Sequence, residues 1–207
     1  MPNINTHIAF TEILHFELSE NLENSYFLLG NIAPDCFLYK NNNYLNCKAH
    51  YKNDINNNCQ CKLFLKDKCF NVTNEEKSFI LGYYSHLWLD NYFTNNEHIL
   101  RTYVTTKDNT VRKKSFSQNL LFYDNKIINN KLNIDEINST VFKYFKNHYV
   151  VSEKDMKKIF NDCIKLFEES VNYKDFLVLD EEKYINFLNL ASSKLLKDIE
   201  KIQSLII

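Results

Sequence analysis

A histidine and an aspartate, His86 and Asp90, sit inside one of the most apolar stretches of the chain, Ser78 to Phe93. Four residues apart on a helix, an imidazole and a carboxylate stack on the same face. Burying an ionised carboxylate among apolar side chains is costly unless something pairs with it. Two readings meet that cost. One is a metal ion shared with ligands from elsewhere; the other is an Asp–His hydrogen-bonded pair in a structural core. Thr73, with Glu76 three residues on, forms a capping-box pattern that gives this helix a start.

Three further segments carry residues of the same chemistry. Thr6-His7 lies near the start, Gly30-Asn-Ile-Ala-Pro-Asp35 follows, and Lys48-Ala-His50-Tyr51 comes next. With Gly82-Tyr-Tyr-Ser-His86-Leu-Trp-Leu-Asp90 their order resembles the bacterial zinc-dependent phospholipase C family. That family reads Thr-His, Gly-x-x-x-Pro-Asp, a lone His, then Gly-x-x-x-His-x-x-x-Asp. The resemblance implies that Asp35, His50, His86 and Asp90 hold one metal ion. It also implies that Asp90 bridges to a second ion bound by His7, and that Asp35 is the general base. Two zinc ions are the expected cofactor, and the same donors also suit manganese or iron. Such a pair would activate water for attack on a phosphoester and neutralise charge on the phosphoryl group.

The match covers about the first half of the chain, and it departs from the larger family members. After Asp90 no His-x-x-x-Glu pair follows, so the ligands of a third metal are missing. Asp124 is either a late addition to the second ion's shell or an exposed helix carboxylate. Lys107, Arg112, Lys113 and Lys114 form a basic run that would hold a substrate phosphate or simply face solvent. The leading expectation is a phospholipase C-like phosphodiesterase acting on a lipid or small-molecule phosphoester. The alternative is a degenerate, non-catalytic helical binding protein of the same fold.

These residues need helices to position them. Thr6 to about Ser19 carries Ile8, Phe10, Ile13, Leu14 and Leu18 at helical spacing, with His7 in the first turn. His15 reads as a packing or surface histidine. A second helix, about Leu22 to Leu29, is expected to end at Gly30, with Pro34 placing Asp35 in a loop or new turn. Residues 41–58 are rich in Asn and read as the least ordered part, with His50 inside it. After the central helix, Glu97 to Val111 is expected to bend away. Further helices are expected over about 115–130, 133–148, 152–170 and, capped by Asp180, 181–206. The expected fold is an all-α, single-domain bundle of about six to eight helices over residues 1–207.

Composition agrees with that class. The 207 residues include only two Gly and two Pro, with 16 Phe and 13 Tyr to fill a core. A net charge of −1 offers no general field for nucleic acid, so no stable nucleic-acid partner is expected. The N-terminus lacks a secretory pattern and no apolar run is long enough to span a bilayer, so the expected location is cytoplasmic. The cysteines Cys36, Cys47, Cys59, Cys61, Cys69 and Cys163 are then reduced thiols. Cys47, Cys59, Cys61 and Cys69 lack a standard zinc spacing. His98, His148 and Trp88 have no assigned role, and Trp88 reads as core.

Overall fold

A computed structural model describes residues 2–18, 22–40, 43–54, 58–68, 72–102, 109–128 and 179–203, with scattered positions between 154 and 165. The elements are α1 (Ile4–Leu18), α2 (Asn24–Ile32), a 3-10 helix (Ala33–Lys40), α3 (Asn43–Ala49), α4 (Cys61–Lys68), α5 (Asn74–Thr102), α6 (Asn109–Ile128) and α7 (Glu181–Gln203). No strand occurs among the described residues, and the fold is all-α. The expected helix over 133–148, most of that over 152–170, Lys107, Cys69, Cys163 and His148 lie outside the described residues. So do the side chains of His15, Arg112, Lys113 and Lys114.

The crossing of α2 with α5 organises the rest, and it consumes both glycines of the chain. A Cβ on Gly30 would lie 2.1 Å from the Phe79 carbonyl oxygen, and one on Gly82 would lie 2.0 Å from that of Phe27. The helices therefore touch backbone to backbone at two reciprocal points, which a larger residue would forbid. Gly30 does not end α2, as expected from its sequence, but lies inside it. Packing against α5 outweighs the intrinsic penalty of about 1 kcal/mol for glycine in a helix.

Helix α5 begins as its capping box requires. The Thr73 amide donates to Glu76 Oε2 at 2.9 Å and the Glu76 amide to Thr73 Oγ1 at 3.3 Å. It then runs through 29 residues, so Glu97–Thr102 extends the helix instead of bending away. Phe79, Ile80, Leu87 and Phe93 are buried along it and meet Phe10, Leu29, Phe64 and Tyr184 in one core. Each large apolar side chain fully removed from water contributes about 1.5–3 kcal/mol. Helix α1 packs against α2, α6 and α7 and is buried around most of its circumference as far as Thr11 and Glu12. Helix α7 starts at Asp180, whose Oδ1 accepts the Lys183 amide at 3.0 Å.

Residues 43–54 contradict the expectation of a poorly ordered segment. Helix α3 closes with the amide of Lys52 donating to Cys47 O at 2.8 Å and that of Tyr51 to Lys48 O at 3.2 Å. This is a Schellman closure with His50 at the C-cap and Tyr51, at φ 50°, in the left-handed position usually given to glycine. The strain is held by Tyr51 packing edge-on to Phe64 and by Gln60 donating its amide to Tyr51 O at 2.9 Å. Tertiary contacts order a segment whose Asn content reads as loop.

Candidate metal centre

Four elements converge on one buried point. Helix α1 supplies His7, the 3-10 helix Asp35, the end of α3 His50, and α5 both His86 and Asp90. All five are 2% exposed or less. His50 is not a solvated loop histidine: its Nδ1 bonds Asn46 O at 2.9 Å, which turns Nε2 inward. His86 is fixed in the same way, Nδ1 donating to Asn31 O at 2.6 Å. Both rings thus present one nitrogen, and backbone carbonyls set the tautomer, as second-shell partners do for metal-binding imidazoles.

His50 Nε2 lies 3.3 Å from Asp35 Oδ1, 3.2 Å from His86 Nε2 and 3.7 Å from Asp90 Oδ2. His86 Nε2 lies 3.7 Å from Asp35 Oδ1, and His7 Nε2 lies 3.5 Å from Asp90 Oδ1. Ligands at about 2.0–2.1 Å from a tetrahedral zinc ion stand about 3.3–3.4 Å apart, so this spacing suits one. The donors form two overlapping groups, Asp35–His50–His86 and His7–His86–Asp90. Both groups draw on the single available nitrogen of His86, so only one ion can take it.

Two features mark these donors as unsatisfied by the protein alone. His7 Nδ1, His7 Nε2 and Asp90 Oδ1 are buried without a hydrogen-bond partner among the described residues. An orphaned buried polar atom costs about 1–3 kcal/mol; an ion here would take His7 Nε2 and Asp90 Oδ1 and leave His7 Nδ1 unsatisfied. The rings of His7 and His86 also stack, with centroids 3.7 Å apart. Burial, with His7 beside it, lowers the His86 pKa to about 3, so this ring is neutral and its lone pair available.

Burial alone would raise both carboxyls, but the surrounding imidazoles outweigh it. His86 and His50 hold Asp35 below the usual carboxylate range; the His7 imidazole beside it, with His86 nearby, does the same for Asp90. His50 is burdened by burial yet raised by its bond to Asp35. Without metal, the centre therefore favours charged carboxylates and the protonated form of His50.

Asp124 joins neither donor group, and it is not an exposed carboxylate either. It is buried, accepting from Thr6 Oγ1 at 2.7 Å and Tyr184 OH at 2.5 Å. The bundle has closed over it, α7 delivering Tyr184 and α1 Thr6. Burial raises its pKa to about 7, against the hydrogen bonds from Tyr184, Thr6 and Asn3. His98 is exposed, and Trp88 is partly buried, with Nε1 donating to Asp198 Oδ2 at 3.0 Å. No cysteine enters a donor group among the described residues, and burial raises the Cys61 thiol to about 12.

Lys52 is a neighbour that the sequence does not reveal. Its Nζ is 3.5 Å from Asp90 Oδ2 and its side chain is 9% exposed. The closure at Tyr51 reverses the chain and returns this lysine over the centre.

A family model described as zinc dependent phospholipase C matches residues 6–197, and the chain belongs to that family. No curated protein and no solved structure matches it. The family is zinc-dependent, and the His and Asp groups described above are able to bind such a metal. Among the described residues no helix is long and apolar enough to cross a membrane.

Proposed function

We propose that this chain hydrolyses a phosphoester at a zinc centre held by Asp35, His50, His86 and Asp90, with a weaker second ion at His7 and Asp90. The observation that carries the reading is the cluster of orphaned atoms on His7 and Asp90, beside donors at zinc-ligand spacing. Assigning His86 to the first ion leaves the second with only His7 Nε2 and Asp90 from the described residues, hence its weaker hold. Zinc, when bound, supplies a Lewis acid that makes water acidic and neutralises phosphoryl charge.

The protein's part is to orient and to move protons. Asp35, held ionised by its imidazole neighbours, accepts the proton of the attacking water. His86 is locked by Asn31 O and His50 by Asn46 O, so neither ring turns during the reaction. Residues 1–207 act as one hydrolase domain in this reading, supported by helices α1, α5 and α7 packing on one another. The substrate is a lipid or small-molecule phosphoester, and the net charge of −1 argues against a stable nucleic-acid partner.

Lys52 favours a second reading. A fixed ammonium 3.5 Å from Asp90 neutralises charge where a second ion would sit, as suits a non-catalytic binding protein. Purified protein separates the two. The hydrolase cleaves bis(4-nitrophenyl) phosphate, loses the activity to a chelator and regains it with zinc or manganese. A centre filled with metal that turns over no phosphoester in a broad panel belongs to the binding protein.

A further inference from the structure

Asp90 turns its two carboxylate oxygens to different neighbours. Oδ1 lies 3.5 Å from His7 Nε2 and has no hydrogen-bond partner among the described residues. Oδ2 is crowded: Lys52 Nζ stands 3.5 Å away, His50 Nε2 3.7 Å and the Cys59 thiol 3.8 Å. A carboxylate that bridges two ions gives one oxygen to each, and here a protein cation already stands at one of them.

The fold holds both the ammonium and the thiol at Oδ2. The left-handed turn at Tyr51 brings Lys52 back over the centre, its amide bonded to Cys47 O at 2.8 Å and its side chain 9% exposed. Cys59 is buried and clamped by Asn91, the residue after Asp90. Asn91 Oδ1 accepts the Cys59 amide at 2.7 Å, and Asn91 Nδ2 donates to Cys59 O at 2.8 Å. Of the described groups paired with Asp90, two imidazoles and Lys52, the lysine carries the permanent charge.

Asp35 and Asp90 bring two negative charges to the donors, and Lys52 stands against one of them. One divalent ion meets that charge. A second adds positive charge beside a buried ammonium, where like charges repel far more than they do in water. With His86 given to the first ion, only His7 Nε2 and Asp90 Oδ1 remain to hold it.

We propose that Lys52 sets the number of metal ions: its ammonium supplies at Asp90 the positive charge that a second ion would bring, so one divalent ion binds tightly. The lysine, and not only the shortage of donors, is what weakens the second site. The inference rests on the metal-centre part of the hydrolase reading and holds whether or not a phosphoester is turned over.

Zinc titrated calorimetrically into metal-free protein, with metal analysis after gel filtration, counts the ions. The parent should retain one. Lys52→Met keeps the length of the side chain and removes its charge. In this variant the second ion should bind at least about tenfold tighter, and two should be retained. Lys52→Arg restores the charge and should return the count to one. Lys197→Met, at an exposed position on α7, is the charge control and should match the parent. A parent that retains two ions, an unchanged second-ion affinity in Lys52→Met, or Lys52→Arg behaving as Lys52→Met overturns the inference. If the variants do not fold, anomalous scattering from crystals of the zinc-loaded parent decides. One full ion with Lys52 Nζ still on Asp90 upholds the role of the lysine, and a lysine turned away from Asp90 overturns it. A parent that binds no zinc refutes the metal centre itself, whereas two tight ions refute only the role of Lys52.

Discussion

Asp90→Asn should remove most of the stability that zinc confers, whereas His7→Ala should spare most of it. Asp90 sits within 3.5 Å of His7 Nε2 and 3.7 Å of His50 Nε2, so it faces both proposed ions. An ion present at about a thousand times its dissociation constant stabilises the fold by about 4 kcal/mol. In a chain of this size 1 kcal/mol moves the melting temperature by about 2–4 °C, so zinc should raise the parent by about 8–16 °C. A hundredfold loss of affinity in Asp90→Asn leaves the ion at about ten times its dissociation constant, worth about 1.4 kcal/mol or about 3–6 °C. The metal-free melt alone does not discriminate. Replacing the carboxylate removes a buried charge that faces Lys52, His7 and His50, and breaking a buried pair costs about 3–5 kcal/mol with or without zinc. The informative quantity is the difference between melts with excess zinc and with chelator, taken by calorimetry beside metal analysis. If Asp90→Asn keeps the full zinc increment, or His7→Ala loses all of it, the division of ligands between two sites is wrong.

Gly82→Ala should destabilise by at least about 1–3 kcal/mol in urea unfolding, because its methyl would lie 2.0 Å from the Phe27 carbonyl oxygen with only backbone to give way. Zinc affinity should fall with it, since the crossing sets the bond from His86 to Asn31 O. Zinc binding should release more protons at pH 6 than at pH 8, measured calorimetrically in buffers of different ionisation enthalpy. The His50 pKa is raised in the metal-free protein, so acid keeps on that ring a proton that the ion must displace. Asp124→Asn should flatten the pH dependence of metal-free stability between about pH 4 and 7. The Asp124 pKa is raised from 3.8 to about 7, so the fold binds a proton there that the unfolded chain has lost. Stability from this group therefore falls as pH rises through that window, by up to a few kcal/mol. An unchanged slope in the variant would show that the hydrogen bonds from Tyr184 and Thr6 already keep the carboxylate charged.

Part of the geometry of the candidate centre was legible in the chain itself. His86 and Asp90 share a face because a helix repeats every 3.6 residues, and that periodicity is local. The capping pairs at Thr73 and Asp180 likewise announced where α5 and α7 begin, since a cap involves residues only three or four apart. Other features depend on partners distant in sequence. Whether Gly30 ends a helix or lies inside one is decided by the carbonyl of Phe79, and an isolated α2 offers no sign of it. Ordering of α3 rests on Tyr83 reaching Ala49 O across 34 positions, against a composition that favours loop. Asp124 reads as solvent-facing until α7 lays Tyr184 over it. Lys52 becomes part of the centre only because Tyr51 accepts a left-handed turn, which packing against Phe64 holds in place. Residue types and helical phase were fixed by short-range covalent geometry; which polar groups lost their water, and therefore needed an ion, a proton or a partner, was decided by how the helices closed.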